Sequence, residues 1–190
     1  RRRQFINRLD PHHPTWAVFY QFEDVPLHAA GCDILGVDPY PVKTAATQDM
    51  KLNVVAKDAT DAAGLPCWDV PQVFNWGKAE GHRDPTEEEM RAMWLYMALR
   101  GATGFIGYSY FDLQSDRASF ERRWAETCRV GQAVQSLVPY MVSRAVPPTV
   151  TVESVAGTVE ARAWADDDGR VKVVIAGIGP GKSEAIVKVD

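Results

Sequence analysis

The sequence predicts an α/β fold in which four parallel strands alternate with helices, followed by a small all-β segment. Three observations predict it. Between 66 and 113 an apolar strand breaks into a polar and aromatic rim, a capped helix follows, and a second apolar strand again ends in aromatics. Two earlier segments, at 16–24 and 32–41, repeat the pattern of strand and polar rim. Beyond Pro147-Pro148 the texture changes to short alternating runs separated by turn residues.

The chain opens on a helical segment whose basic run, Arg1-Arg2-Arg3, belongs on a solvated face with Phe5, Ile6 and Leu9 opposite. Asp10-Pro11-His12-His13-Pro14 is a turn. A strand over 16–21 ends at Phe22, Glu23 and Asp24, and a buried strand over 32–37 is closed by Asp38-Pro39-Tyr40-Pro41. A helix over about 44–63 follows, with Met50, Val54, Val55, Ala59 and Ala62 inward and Gly64 and Pro66 ending it. The third strand, 67–74, runs into Asn75, Trp76 and Gly77.

The next helix is the best marked. Thr86 stands three residues before Glu89 in a capping box, with Pro85 ahead of it and Glu87 and Glu88 in the first turn. Met90, Met93, Trp94, Met97 and Ala98 then recur at helical spacing, and Arg100-Gly101 supplies a cation and a left-handed stop. The fourth strand, 104–110, runs towards Asp112, and a long helix from about 119 carries Phe120, Trp124, Cys128, Val134, Val138 and Met141 on one side.

Four βα units with right-handed crossovers make half of a (β/α)8 barrel, and a lone half would leave two unpaired edges and an uncovered face. The expectation is therefore a chain cut from a longer protein or completed by a partner. Two domains follow: 1–146, the second half of the barrel, and 147–190, a partial β-sandwich with strands at 149–155, 159–165, 171–176 and 185–189. Asp166-Asp167-Asp168-Gly169 is a hairpin turn. The glycine-rich stretch Gly177-Ile178-Gly179-Pro180-Gly181-Lys182-Ser183 loosely matches a phosphate loop. The alternating Ala185, Val187 and Val189 make it a loop between strands instead, since a phosphate loop must open a helix.

Composition excludes several classes. With 21 Lys and Arg against 25 Asp and Glu the net charge is −4, which gives no support for a nucleic-acid partner. No apolar run reaches the ~20 residues a membrane span needs, and no signal peptide opens the chain. The compartment is left open, a periplasmic or secreted one being compatible. Cys32, Cys67 and Cys128 fit no ligand spacing and are assigned as core thiols; the four His residues form no metal pattern. No metal and no cofactor are expected.

With the strands placed, the segments Leu9-Asp10-Pro11-His12-His13-Pro14, Asp33-Ile34-Leu35-Gly36-Val37-Asp38-Pro39-Tyr40-Pro41-Val42, the strand end from Trp68 to Trp76, and Pro85-Thr86-Glu87-Glu88-Glu89 leading to Gly101-Ala102-Thr103-Gly104-Phe105 are the ones that matter. In this order they resemble the second half of bacterial TIM-barrel glycoside hydrolases with a β-galactosidase-like layout. The resemblance covers about 1–140 and implies strands five to eight of a barrel, a following β-sandwich and a carbohydrate substrate. It also implies that the N-terminal half of the barrel lies in the same parent chain or in a dimer partner.

Sugars bind where ring faces stack on aromatics and hydroxyls meet carboxylates and amides, which the strand-end rims offer. Asp38 is the candidate catalytic carboxyl; Glu23, Tyr40, Gln72, Asn75, Trp76, Tyr108, Tyr110 and Asp112 are candidate substrate-binding residues, with Asp24 beside them. Each has a structural alternative: Asp38 before Pro39 shapes a turn, Trp76 and Tyr110 pack, and Asp112 caps a helix. The chain departs from the family pattern in carrying Gln72 and Asn75 where the resemblance implies a nucleophilic Glu. The acid/base Glu is implied to lie upstream. Binding of carbohydrate without catalysis is the second expectation. A barrel enzyme acting on phosphorylated metabolites is the third, disfavoured by the lack of a Gly-rich cradle after the last two strands.

Overall fold

The computed structural model describes residues 2–44, 50–77, 81–179 and 181–190. Strands β1 (Trp16–Phe19), β2 (Ile34–Val37), β3 (Cys67–Asp69) and β4 (Gly104–Phe105) form one parallel sheet in the order β1-β2-β3-β4. The helices are α1 (Arg2–Leu9), α2 (Val25–His28), α3 (Lys51–Ala63), α4 (Glu87–Leu99), α5 (Tyr110–Ser115), α6 (Phe120–Gln135) and α7 (Val138–Met141). The start of the helix expected from 44 falls on 45–49, outside the described residues.

The expectation of half a (β/α)8 barrel leading into a β-sandwich is corrected by this architecture. The fold is mixed α/β: an open parallel sheet of four strands, then two small antiparallel sheets, with no barrel closure among the described residues. Alternation of strands and helices dictates parallel pairing and helical cover. Closure needs a matched strand number, tilt and shear that the alternation does not encode.

The tail forms β5 (Val150–Ala156) paired with β8 (Glu184–Val189), and β6 (Val159–Ala165) paired with β7 (Val171–Gly177), both antiparallel. Its glycine-rich loop leads into β8, not into a helix. Ile178 in that loop is buried against the parallel-sheet core, and its carbonyl accepts from the Met50 amide at 2.8 Å.

The capping box forms as expected: the Glu89 amide donates to Thr86 Oγ1 at 3.2 Å and the Thr86 amide to Glu89 Oε2 at 2.9 Å. Helix α4 is buried on more than one side. Met90, Met93, Trp94 and Met97 pack with Val37, Cys67 and Phe105 of the sheet, while Ala98 and Leu99 pack with Trp164 and Val174 of β6 and β7. Gly101, with φ +93°, ends it in the left-handed region that favours glycine.

Other helices bear out only part of the inward face that apolar spacing predicted: Val54 and Ala59 of α3 and Phe120 and Val134 of α6 pack on the core, but polar residues join them and some apolar ones turn outward. In α3 the buried residues are Asn53, Ala56, Lys57 and Thr60, and Val55 is exposed. Lys57 reaches Asp61 in an ion pair one turn on, and Thr60 Oγ1 donates to the Lys57 carbonyl at 2.9 Å. In α6 the inward residues are Arg123, Val130 and Val134, leaving Trp124 and Cys128 exposed. The buried Arg123 sits 2.8 Å from Asp84 and donates to the Val73 carbonyl at 2.6 Å, which makes a cation tolerable there. Helix α1 buries nothing among the described residues, so Phe5, Ile6 and Leu9 face solvent. Cys32 and Cys67 are buried as expected.

The sheet face away from α3 and α4 is built by two indoles lying over two glycines. A Cβ on Gly36 would stand 2.7 Å from Trp16 Nε1, and one on Gly104 would stand 2.5 Å from Trp68 Cδ1. The two indole rings lie 5.8 Å apart. We expect Gly104→Ala to force the Trp68 ring aside and lower stability by about 1–3 kcal/mol, read as a lower denaturant midpoint with unchanged slope. An unchanged midpoint would show that the indole yields freely.

Candidate functional site

Parallel register puts Phe19, Val37, Asp69 and Phe105 in one row, so every strand exits on the same side. An isolated parallel bridge between Gln72 and Tyr108 carries the pairing of the last two strands beyond that row. The exit segments surround a cleft of about 660 Å³. Its walls are Asp38, Tyr40, Phe74, Trp76, Tyr108 and Asp112, and its base is Trp16, Val18, Val70 and Ile106.

Aromatic packing fixes the walls. Tyr40 meets Phe74 edge-on at 5.0 Å, stacks on Tyr108 at 5.8 Å and meets Trp76 edge-on at 5.9 Å. Phe74 is buried, whereas Trp76 and Tyr108 are 41% and 48% exposed and present ring surface to the cleft. Lys43 Nζ stands 4.5 Å above the Trp76 ring.

Gln72 is wholly buried and holds the walls rather than lining them. Its Oε1 accepts from the Val42 amide at 2.9 Å, and its Nε2 donates to the Val42 carbonyl at 2.7 Å and the Phe74 carbonyl at 2.9 Å. The segment on one side of it receives Tyr108: the Tyr108 amide donates to Pro71 at 3.1 Å and its carbonyl accepts from Val73 at 2.9 Å.

The carboxyls differ in environment. Burial lifts Asp38 above the usual carboxylate range, opposed by hydrogen bonding to Tyr40, and its Oδ1 is buried without a hydrogen-bond partner. Burial, with Asp38 next in effect, pushes the Tyr40 hydroxyl up. Asp112 belongs to the first turn of α5, where Ser109 caps: the Asp112 amide donates to Ser109 Oγ at 3.2 Å and the Ser109 hydroxyl donates to the Asp112 carboxyl. The Tyr108-Ser109 peptide is cis.

Asp69 stands apart from these. It is fully buried at the end of β3, neither carboxyl oxygen has a hydrogen-bond partner, and burial, with the charge of Asp38 adding to it, drives it well above the carboxylate range. Sequence reasoning passed over it. The signal was one acidic residue inside the apolar run Cys67-Trp68-Asp69-Val70, at the end of a strand already read as rim-bearing.

A second cavity of about 460 Å³ adjoins the first and shares Asp112 with it. It is lined by Asn75, Gly77, His82, Asp84, Ser115, Asp116 and Arg123 as well. Asp84 Oδ1 lies 2.8 Å from Arg123 Nη2, though not in hydrogen-bond alignment. Burial raises Asp84 against the pull of Arg123. Asp116 is held below its ordinary value by the Ser119 hydroxyl, which donates to it at 2.6 Å. Nothing in the sequence marked Arg123, which reads as one more surface cation in a helix, or His82 and Asp84 in their loop.

Of the residues singled out from the sequence, Asp38, Tyr40, Trp76, Tyr108 and Asp112 meet in the aromatic cleft, and Asn75 lines the adjoining cavity. The rest lie elsewhere. Glu23 is exposed in a 3-10 turn, Phe22–Asp24, off both linings, with Asp24 beside it. Tyr110 turns away, edge-on to Trp124 at 5.4 Å and Phe120 at 5.8 Å.

Compared with known proteins, the chain matches no family model, no curated protein and no solved structure. The resemblance to the C-terminal half of a barrel glycoside hydrolase is therefore corrected: no kinship accompanies it, and the open four-stranded sheet does not reproduce its architecture. Short segments of strand end and capped helix recur wherever parallel strands alternate with helices, so their order does not mark one family. Among the described residues no three metal-ligating side chains gather, and no helix is long and apolar enough to cross a membrane.

Unfolded, Asp69 titrates near the ordinary ~3.9; folded, it titrates well above that. Between those values the folded chain holds the extra proton, so this residue's contribution to stability is lost as pH rises. We expect Asp69→Asn to gain stability relative to the native chain progressively from about pH 4 upwards. Denaturant midpoints measured across pH check it; parallel pH profiles for the two chains would refute it.

Proposed function

We propose that the aromatic cleft binds carbohydrate and that the protein hydrolyses an O-glycosidic bond there, with Asp38 as proton donor. The observation carrying this reading is the meeting of exposed ring surface on Trp76 and Tyr108 with two carboxyl groups, Asp38 and Asp112, in one cleft at the strand ends. Aromatic faces suit the apolar faces of sugar rings, and carboxyls suit their hydroxyls. A carboxyl lifted by burial keeps its proton at a pH where an ordinary one has lost it, which suits protonation of a leaving glycosidic oxygen. In that step Asp38 gives its proton to the oxygen as the C–O bond breaks, water supplies the hydroxyl of the other product, and the proton that water gives up restores the Asp38 carboxyl. Asp112 is the second carboxyl within the cleft.

A second reading is binding without turnover. It is favoured by the commitment of Asp112 to Ser109 and of Gln72 to the backbone, which leaves Asp38 as the carboxyl least engaged. The two readings part on Asp38.

For hydrolysis, Asp38→Asn is expected to lower kcat on an activated glycoside by about 100-fold or more while glycan binding persists. Turnover by the native chain is expected to fall as pH rises through the raised value of Asp38, where its proton is lost. Trp76→Ala is expected to weaken glycan binding about tenfold, read by calorimetric titration. Glycan binding with no turnover in the native chain would select the second reading, and no glycan binding at all would remove both.

A further inference from the structure

The polar cavity beside the aromatic cleft is too closely joined to it to be a separate site. One short segment divides them: Asn75 and Gly77 line the polar side while Trp76, between them, lines the aromatic side. Asp112 touches both. The two volumes, about 460 Å³ and 660 Å³, each fall in the range of small-molecule pockets.

Their chemistry differs in a way that assigns different roles. The aromatic side offers ring faces and few polar groups. On the polar side, imidazole, amide, carboxyl and guanidinium groups converge from the segment between β3 and α4, from α5 and its C-terminal end, and from α6, with Arg123 anchored beneath by Asp84 and the Val73 carbonyl. Such a lining can give and accept hydrogen bonds around a polyhydroxyl ring on several sides. Among the described residues Asp84 and Arg123 neutralise each other, so Asp112 and Asp116 leave the lining net negative.

We propose that the two cavities are consecutive subsites for a neutral oligosaccharide of at least two units, one unit against Trp76 and Tyr108, the next among Asn75, His82 and Asp116, with the linkage between them passing Asp112. This rests on the carbohydrate reading of the aromatic cleft. It adds that a single sugar occupies only part of the site and that an acidic sugar is rejected on the polar side, because a carboxylate there meets Asp112 and Asp116.

The test is calorimetric titration of the intact chain with neutral glucan and galactan oligosaccharides of one to four units, and with a disaccharide carrying a uronic acid. The expected result is about tenfold or greater tightening from one unit to two, and weaker binding of the acidic disaccharide than of its neutral counterpart. His82→Ala and the cavity-filling Ser115→Trp are expected to shrink the ratio of disaccharide to monosaccharide affinity. Melting temperatures of both variants, compared with the native chain, register any loss of folding. Ser115 is exposed, so its variant reads the cavity if His82→Ala folds poorly.

Equal affinity for one unit and two would overturn the second subsite while leaving the aromatic cleft as a sugar site. Equal ratios in the native chain and in a folded Ser115→Trp variant would do the same. Binding of none of these sugars would overturn both inferences together.

Discussion

The buried amide of Gln72 is the interaction on which the cleft depends. Parallel pairing alone aligns the ends of the strands, but chain leaving a strand is free of the ladder and could turn anywhere. Gln72 supplies what the ladder no longer does. By bonding both backbone groups of Val42 and the carbonyl of Phe74, it fixes the segment after β2 against the segment after β3. The neighbouring Pro71 and Val73 then receive Tyr108 from the segment after β4. Tyr40 lies between Asp38 and Val42 on the first of these segments, and its ring rests between Phe74 and Tyr108 on the other two. Three strand exits thus become one surface because one side chain uses its donor and acceptor on backbone groups that would otherwise be buried without partners.

Much of this was readable in the sequence where local chemistry determines structure. The capping box at Thr86 and Glu89 and the left-handed stop at Gly101 depend on neighbours within a turn, and they stand as read. What failed depends on distant partners. Spacing in α3 and α6 selected apolar faces, yet the buried faces carry Asn53 and Lys57 in one and Arg123 in the other. Arg123 can go inward only because Asp84 and the Val73 carbonyl await it, and neither is near it in sequence. Gln72 shows the same limit within the site. A polar residue at a strand end looks like a ligand contact, and only the fold reveals that Val42, thirty residues earlier, takes one of its two donors and an acceptor position on its oxygen, and that the second donor goes to Phe74. Barrel closure, likewise, is a property of the whole sheet rather than of any strand in it.

The sheet has two faces with opposite demands. Towards α3 and α4 it is sealed, and the polar groups sealed within it are poorly met: Asp69 has no partner for either oxygen, and Asn53 and the Trp94 indole nitrogen are also without one. Each such group opposes folding by roughly 1–3 kcal/mol. Natural chains hold such groups where structure or function compels them, and Asp69 stands one residue before Val70, which lies in the base of the cleft. The charge of Asp38 is felt at Asp69, because two carboxyls in one buried setting cannot both ionise easily. A neutral Asp69 leaves Asp38 in an apolar setting without a second negative charge, and an ionised one would raise Asp38 further. Either state keeps the Asp38 proton in place to higher pH than an exposed carboxyl would keep it.

The other face is open, with Trp16, Val18 and Ile106 each partly exposed. That exposure and the cleft have a common origin. Glycines at 36 and 104 let the indoles of Trp16 and Trp68 lie close over neighbouring strands, the two rings inclined at 47° to each other, so broad rings occupy the space that side chains at those positions would fill. Of the two indoles, Trp16 joins Val18, Val70 and Ile106 in the base of the cleft, and Tyr40, Trp76 and Tyr108 from the exit segments are among its walls. A larger residue at position 36 would push the Trp16 indole towards the space the cleft occupies. Gly36 therefore shapes the cavity from beneath, and the volume available to a ligand depends on a side chain that is absent from the sheet as well as on those that line the cleft.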